Sequence, residues 1–226
     1  MSKSANAEIS VDMVSDFVCP WCWLGYKQFE TAAKSARPKP QLTFRPYMLD
    51  PSVPDEGQDY KAYMAAKFGS ADKDRFKASR AHLEQAGQAV GIDFDFSAIT
   101  RRPNSLNAHR VLKWAQNQGE GQDAGHAVAE GIFKAYHEDG RDIGDTDVLV
   151  GIAEAAGLDG ALVRELLGRD DDKMAILQEV QFFRGLGVSG VPTFIYNGAF
   201  AVQGAQEPEK HKRAFAEALK QQPLSG

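Results

Sequence analysis

Strand-type patterning in this chain is confined to its two ends, and nothing else limits the sheet it can build so severely. Near the start, Ile9, Val11 and Met13 alternate with Ser10 and Asp12 before Val14, the period of a core strand. A second strand reads from Leu42 to Tyr47. Near the other end, Thr193 to Tyr196 and Phe200 to Gln203 flank Asn197-Gly198, a dipeptide that tolerates the positive φ angles of a tight hairpin. Between them, from about Asp50 to Gly168, strand signals are nearly absent, and helical patterns occupy 60–68, 73–90, 105–116, 124–138, 146–156 and 160–167. The order β-α-β, helical insertion, α-β-β-α predicts an α/β fold whose sheet is closed by segments far apart in sequence. The expected division is one discontinuous domain, residues 8–50 and 169–221, around an inserted helical domain, residues 51–168.

The junction between the first strand and its helix carries Cys19-Pro20-Trp21-Cys22. Pro20 is tolerated in a first helical turn because its missing N–H would have had no partner there. Cys22, Tyr26, Phe29 and Ala33 then recur on one helical face, and Pro38 and Pro40 end the pattern. A thiol at a helix start lies among unpaired amides at the positive end of the helix dipole, which favours thiolate. A second thiol one turn later can attack a mixed disulfide formed by the first. Cys19 is therefore the expected nucleophile, placed at the surface by the turn, and Cys22 the resolving thiol. A structural zinc site would need two further ligands, yet the chain has only these two cysteines and no closely spaced histidine pair, so no metal is expected.

Composition narrows the partners. The 226 residues carry a net charge of −5 and no basic tract, which argues against a nucleic-acid partner. No stretch is long and apolar enough to span a membrane, and the polar segment Met1 to Glu8 lacks the apolar run of a signal peptide. The expected location is cytoplasmic, where a cysteine pair rests reduced and serves catalysis rather than scaffolding. The oligomeric state is left open.

Late in the chain, a helix is expected over 170–186, with Met174, Leu177, Val180 and Gln181 or Phe182 turned to the core. A glycine-rich turn then delivers Val191-Pro192, where a proline opening a strand is a candidate cis peptide.

Together, Asp16-Phe17-Val18-Cys19-Pro20-Trp21-Cys22, Gly187 to Phe194 and Gly204-Ala205-Gln206 resemble the DsbA-like thioredoxin superfamily. Within it, Asn104 to Arg110 and Gly140 to Asp145 resemble the cytoplasmic FrnE-like branch of dithiol oxidoreductases and isomerases. The resemblance implies a thioredoxin-like fold with a large all-helical insertion, and disulfide exchange with a protein or small molecule bearing thiols or disulfides. Val191 and Pro192 would form a cis-proline shelf for substrate, and the Cys19–Cys22 disulfide would be the redox group, with no tightly bound cofactor. Some members carry a second cysteine pair; this chain has none, so no relay between two dithiols operates here. A related branch, the glutathione-dependent 2-hydroxychromene-2-carboxylate isomerases and kappa-class transferases, supplies the alternative reading. Those proteins usually have serine at the position of Cys19, and the retained pair argues against that chemistry while leaving glutathione open as a co-substrate.

Other residues are weighed individually. Pro20 and Trp21 sit between the thiols and are expected to tune them, with Trp21 on an exposed turn offering apolar contact to substrate. Phe17, Trp23, Tyr26 and Phe29 read as packing. His109 either faces the cleft, as a candidate substrate-binding group or proton carrier near Cys19, or is a satisfied interfacial histidine beside Arg110, the commoner case. Asp16 either influences Cys22 or is simply solvated. His82, His126, His137 and His211 read as ordinary surface or interlobe residues. Asn104 or Ser105, and separately Asp145, read as helix caps.

Overall fold

The computed structural model describes residues 8–69, 73–118 and 123–221. Strand β1 (Ser10–Ser15) is followed by helix α1 (Pro20–Ala33) and strand β2 (Gln41–Pro46). Then come β3 (Gln58–Asp59), α2 (Tyr60–Phe68), α3 (Lys73–Gln88), β4 (Arg101–Arg102), α4 (Leu106–Gln116), α5 (Asp123–His137), α6 (Thr146–Ala155) and α7 (Gly160–Leu167). The chain closes with α8 (Lys173–Gly185), β5 (Thr193–Tyr196), β6 (Phe200–Gln203) and α9 (Pro208–Ala218).

The main sheet has the order β2-β1-β5-β6. β1 runs parallel to β2, pairing Val14 with Arg45, and antiparallel to β5, pairing Val14 with Thr193. Its alternating side chains serve two faces. Val11 and Met13 join the core that includes Phe29, Phe194 and Phe215, where Phe29 stacks on Phe194 at 5.6 Å. Val14 turns the other way, packing with Tyr47 and Phe183 of α8. Each such buried side chain contributes about 2 kcal/mol. The hairpin between β5 and β6 has Asn197 at φ 51° and Gly198 at φ 66°, the geometry expected of that dipeptide.

The inserted helices dock on α1 through aromatic contacts. Trp23 stacks on Phe133 of α5 at 5.4 Å, and its indole N–H donates to Glu138 at 3.0 Å. Asp145 caps α6 through the amides of Asp147 and Val148, and Asn104 accepts from the amide of Leu106 at the start of α4.

Three expectations need correction. Residues 50–168 do contain strand: β3 and β4 form a two-residue antiparallel ladder, pairing Gln58 with Arg102. Such a ladder is too short to leave a periodic pattern. On α8, Met174 and Phe182 are exposed at 62% and 59%, while Ile176, Val180 and Phe183 are buried. The face opposed to the sheet and α4 decides which apolar set is covered. On α1, Ala32 rather than Ala33 is fully buried.

Candidate active site

The chain leaves β1 through Asp16, Phe17 and Val18 and enters α1 with Cys19 as the residue before the first turn, at φ −97° and ψ 110°. Its amide donates to the carbonyl of Asp16 at 3.0 Å, and the Cys22 amide donates to the carbonyl of Cys19 at 2.9 Å. No side chain caps α1 and no acidic residue occupies its first turn, so the positive helix end is left to the Cys19 sulfur. Both cysteines are free thiols. Cys19 Sγ lies 3.8 Å from the carbonyl oxygen of Val191. The Val191–Pro192 peptide is cis, and Pro192 rests against α1 where Gly25 leaves room. A Cβ at Gly25 would stand 2.9 Å from Pro192 Cγ, so a side chain there would push the two segments apart.

The thiols are unequal. Cys22 has no exposure at all, and burial, reinforced by Cys19, pushes its thiol well above the usual range. Cys19 lines a cavity of about 410 Å³ bounded by the first turn of α1 and by α2, α3 and β4. Yet Cys19 is only 5% exposed, contrary to the expected surface position. Val18, Trp21 and Arg102 wall the cavity around it, and the Val191 carbonyl closes another side.

Behind the thiols lies a buried polar cluster, so that of the two readings of Asp16 the solvated one fails. Asp16 is 1% exposed, its carboxylate accepting from the Leu49 amide at 2.7 Å and the Val18 amide at 3.4 Å. Burial pushes its carboxyl up, but His109, Arg102 and the Leu49 amide outweigh that and hold it below its ordinary value. His109 does not face the cleft. It is buried against Phe17, with Nε2 3.0 Å from the carbonyl of Tyr47 and 3.8 Å from Asp16 Oδ1. A carbonyl only accepts, so Nε2 carries the proton and aims it at both oxygens. The packing of α4 beneath Tyr47 and Asp16 draws the ring inward, so His109 contacts the site from behind.

Of the remaining histidines, His82 is at the surface and His126 and His137 lie between the inserted helices and the N-terminal segment, as expected, whereas His211 is buried within the C-terminal segment. His137 is buried, bonds the carbonyl of Phe17 at 2.9 Å, and is held down to about 3 by burial. His211 is buried beside Tyr196 at 2.6 Å and held at about 4 for the same reason. His126 is half-buried against Tyr26. His82 is exposed and lies 5.7 Å from Trp21, which is itself half-buried in the cavity wall rather than free on a turn.

Arg102 was missed by sequence reasoning. It is 5% exposed, donates to the carbonyl of Val18 at a long 3.5 Å, lies over the Tyr63 ring at 4.9 Å and borders the cavity. The available signal was a pair of arginines directly before Pro103 and α4, in a stretch otherwise read as connection. Among the described residues no three His, Cys, Asp or Glu side chains gather as metal ligands, and no helix is long and apolar enough to cross a membrane.

Comparison with known proteins agrees with this geometry. A curated relative from Bacillus subtilis, the uncharacterized protein YwbO, is 24% identical over 94% of this chain and 98% of its own. A probable DsbA oxidoreductase from Streptomyces coelicolor superposes with a TM-score of 0.86 at 26% identity, covering 97% of this chain and 94% of that one. The cytosolic disulfide reductase DsbM from Pseudomonas aeruginosa, solved with GSH, shares the fold at a TM-score of 0.67 and 17% identity, over 94% of this chain and 100% of that one. The sequence profile of the DSBA-like thioredoxin domain matches residues 10–216, from the first strand through the thiol pair and the helices to the last helix, and the chain belongs to that family.

Proposed function

We propose that this protein is a thiol–disulfide oxidoreductase in which Cys19 attacks the substrate and Cys22 resolves the intermediate. The asymmetry of the two thiols carries the reading: Cys19 borders a cavity large enough for a small molecule, whereas Cys22 is wholly buried behind it. In the oxidising half-reaction, the Cys19 thiolate bonds to one sulfur of a substrate disulfide, and the other sulfur leaves with the electron pair. Cys19 is then uncharged, which removes one of the influences raising the Cys22 thiol. Cys22 gives up its proton and attacks Cys19 Sγ, releasing the second substrate thiolate and leaving the Cys19–Cys22 disulfide. Val191 and Pro192 serve as the shelf along which the substrate lies, and Pro20 and Trp21 tune the pair. A thioredoxin-like domain of residues 8–50 and 169–221 holds the chemistry, and the inserted domain of residues 51–168 covers it. The protein acts in the cytoplasm with its dithiol reduced at rest, and glutathione is a candidate co-substrate. The retained Cys22 sets this reading above a glutathione-dependent isomerase, whose turnover has no use for a resolving thiol.

The test is substitution of each thiol. Cys19→Ser is expected to abolish reduction of insulin disulfides, and Cys22→Ser to accumulate a covalent mixed disulfide visible by mass spectrometry. Unchanged insulin reduction in both variants would exclude the proposal.

A further inference from the structure

We infer that the cavity beside Cys19 selects small disulfides that carry negative charge near the sulfur, and that Arg75 and Arg80 of α3 make the selection. The inference rests on the dithiol reading and adds a substrate class to it.

The chain carries a net charge of −5, yet among the described residues the cavity is lined by Lys67, Arg75, Arg80 and Arg102 and by no aspartate or glutamate. Two of these cations are answered from within the protein. Arg102 is backed by the carboxylate of Asp16. Lys67 donates to the Tyr63 hydroxyl at 2.7 Å and lies within electrostatic reach of Asp50. Arg80 meets no carboxylate among the described residues. Its guanidinium sits over Phe76 at 4.6 Å and Phe96 at 5.0 Å, and one edge donates to the Tyr60 hydroxyl at 3.1 Å. Its Nε is buried and without a hydrogen-bond partner. Two rings thus hold the plane of a cation whose donors are not used up, in the wall of a cavity that also holds the nucleophile. Arg75, one turn earlier on α3, adds an exposed charge at the rim and also faces no carboxylate among the described residues.

A concave site with surplus charge of one sign concentrates counter-charged ligands. The volume of about 410 Å³ suits a compact ligand, and Trp21, Phe76 and Phe96 give its apolar part walls to lie against. The chemistry that fits is a low-molecular-weight disulfide bearing carboxylates a few bonds from sulfur. Turnover follows the two displacements given above: the ligand disulfide gains two electrons and becomes two thiols, and the protein dithiol becomes a disulfide.

The test uses three disulfides of nearly equal size and different charge: dithiodipropionate (anionic), hydroxyethyl disulfide (neutral) and cystamine (cationic). Oxidation of the reduced full-length protein is followed in single turnovers, and each rate is divided by that of the same disulfide with dithiothreitol to remove leaving-group differences. The expected order is anionic, neutral, cationic, with the extremes ~10-fold apart at low salt and converging at roughly 0.5 M salt. Arg75→Glu, at an exposed position, is expected to cut the anionic-to-cationic ratio several-fold. Arg80→Gln is expected to do the same, and Arg80→Lys to restore part of the ratio. Equal normalised rates, a ratio indifferent to Arg75→Glu, or faster reaction with insulin than with dithiodipropionate would overturn the inference. If none of the three disulfides oxidises the dithiol, the fault lies instead with the proposed function.

Discussion

Two arginines are buried among the described residues, and they are buried differently. Arg110, 1% exposed on α4, spends its guanidinium on its neighbours. It donates to Asp172 at 2.6 Å, to Asn107 at 2.9 Å, and to the carbonyls of Leu166 and Arg169 at 2.7 Å each. A further bond reaches the carbonyl of Leu167. It ties the C-terminal end of α7 to the start of α8. Arg102, beside Cys19, makes a long hydrogen bond to the Val18 carbonyl and interacts with Tyr136 and the Asp16 carboxylate, but its Nε has no hydrogen-bond partner. A buried cation with every donor used holds structure together; one with donors to spare is less tightly bound into it.

That contrast can be broken by experiment. The largest expected effect is from Arg110→Gln, which leaves several helix-end carbonyls without their donor and Asp172 with only the Trp114 indole N–H. Loss of such a buried partner costs about 4 kcal/mol, read as a lower midpoint in urea unfolding. An unchanged midpoint would show that the bonds around Arg110 are replaceable by water.

Acid separates the two surroundings next. His137, which faces Arg102 and Asp16, and the distant His211 are both depressed in the folded state, to about 3 and about 4, from an ordinary 6.5. The unfolded chain therefore takes up protons that the folded one refuses as pH falls below 6.5. Their contribution is complete above that pH and is lost progressively below it, on the order of 3 kcal/mol for each by about pH 4. His137→Gln is expected to flatten that part of the stability profile by about half. A profile identical to that of the parent would mean that His137 is protonated in the folded protein.

The smallest effect on stability is expected from Arg102→Gln, about 2 kcal/mol, because one weak hydrogen bond and the charge facing Asp16 are lost while Asp16 keeps the Leu49 amide and His109 as partners. Because Asp16 answers the Arg102 charge, the effect of this substitution on the reaction of Cys19 with anionic disulfides should be smaller than that of Arg80→Gln. A stability loss equal to that of Arg110→Gln would erase the distinction drawn here.

The sheet and most helices were legible because their signals are local. The bounds expected for β5, β6, α2 and α7 match those observed. What escaped depends on packing. Met174 and Phe182 offer as good an apolar stripe on α8 as Ile176 and Phe183, and only the neighbouring sheet chooses between them. Asp16 reads as solvated on any polarity scale, yet it is enclosed because the chain folds Leu49 and His109 over it. The thiol pair announced itself by spacing. The cavity did not, since its cations come from α2, α3 and β4, which are distant in sequence from Cys19 and meet it only in the folded chain.

The contact between Cys19 and Val191 spans 172 residues, and it has a consequence for how the protein is made. On the ribosome, the thiol pair emerges early, and β1 can find β2 soon afterwards. The strand that completes the other side of β1, and with it the Val191 carbonyl and the Pro192 ring against Gly25, arrives only after all of α2 to α8 has been synthesised. Through that interval the nascent chain carries two uncovered thiols and a sheet with an open edge. The same separation that lets a helical lobe border the finished site leaves its chemistry unguarded for most of synthesis.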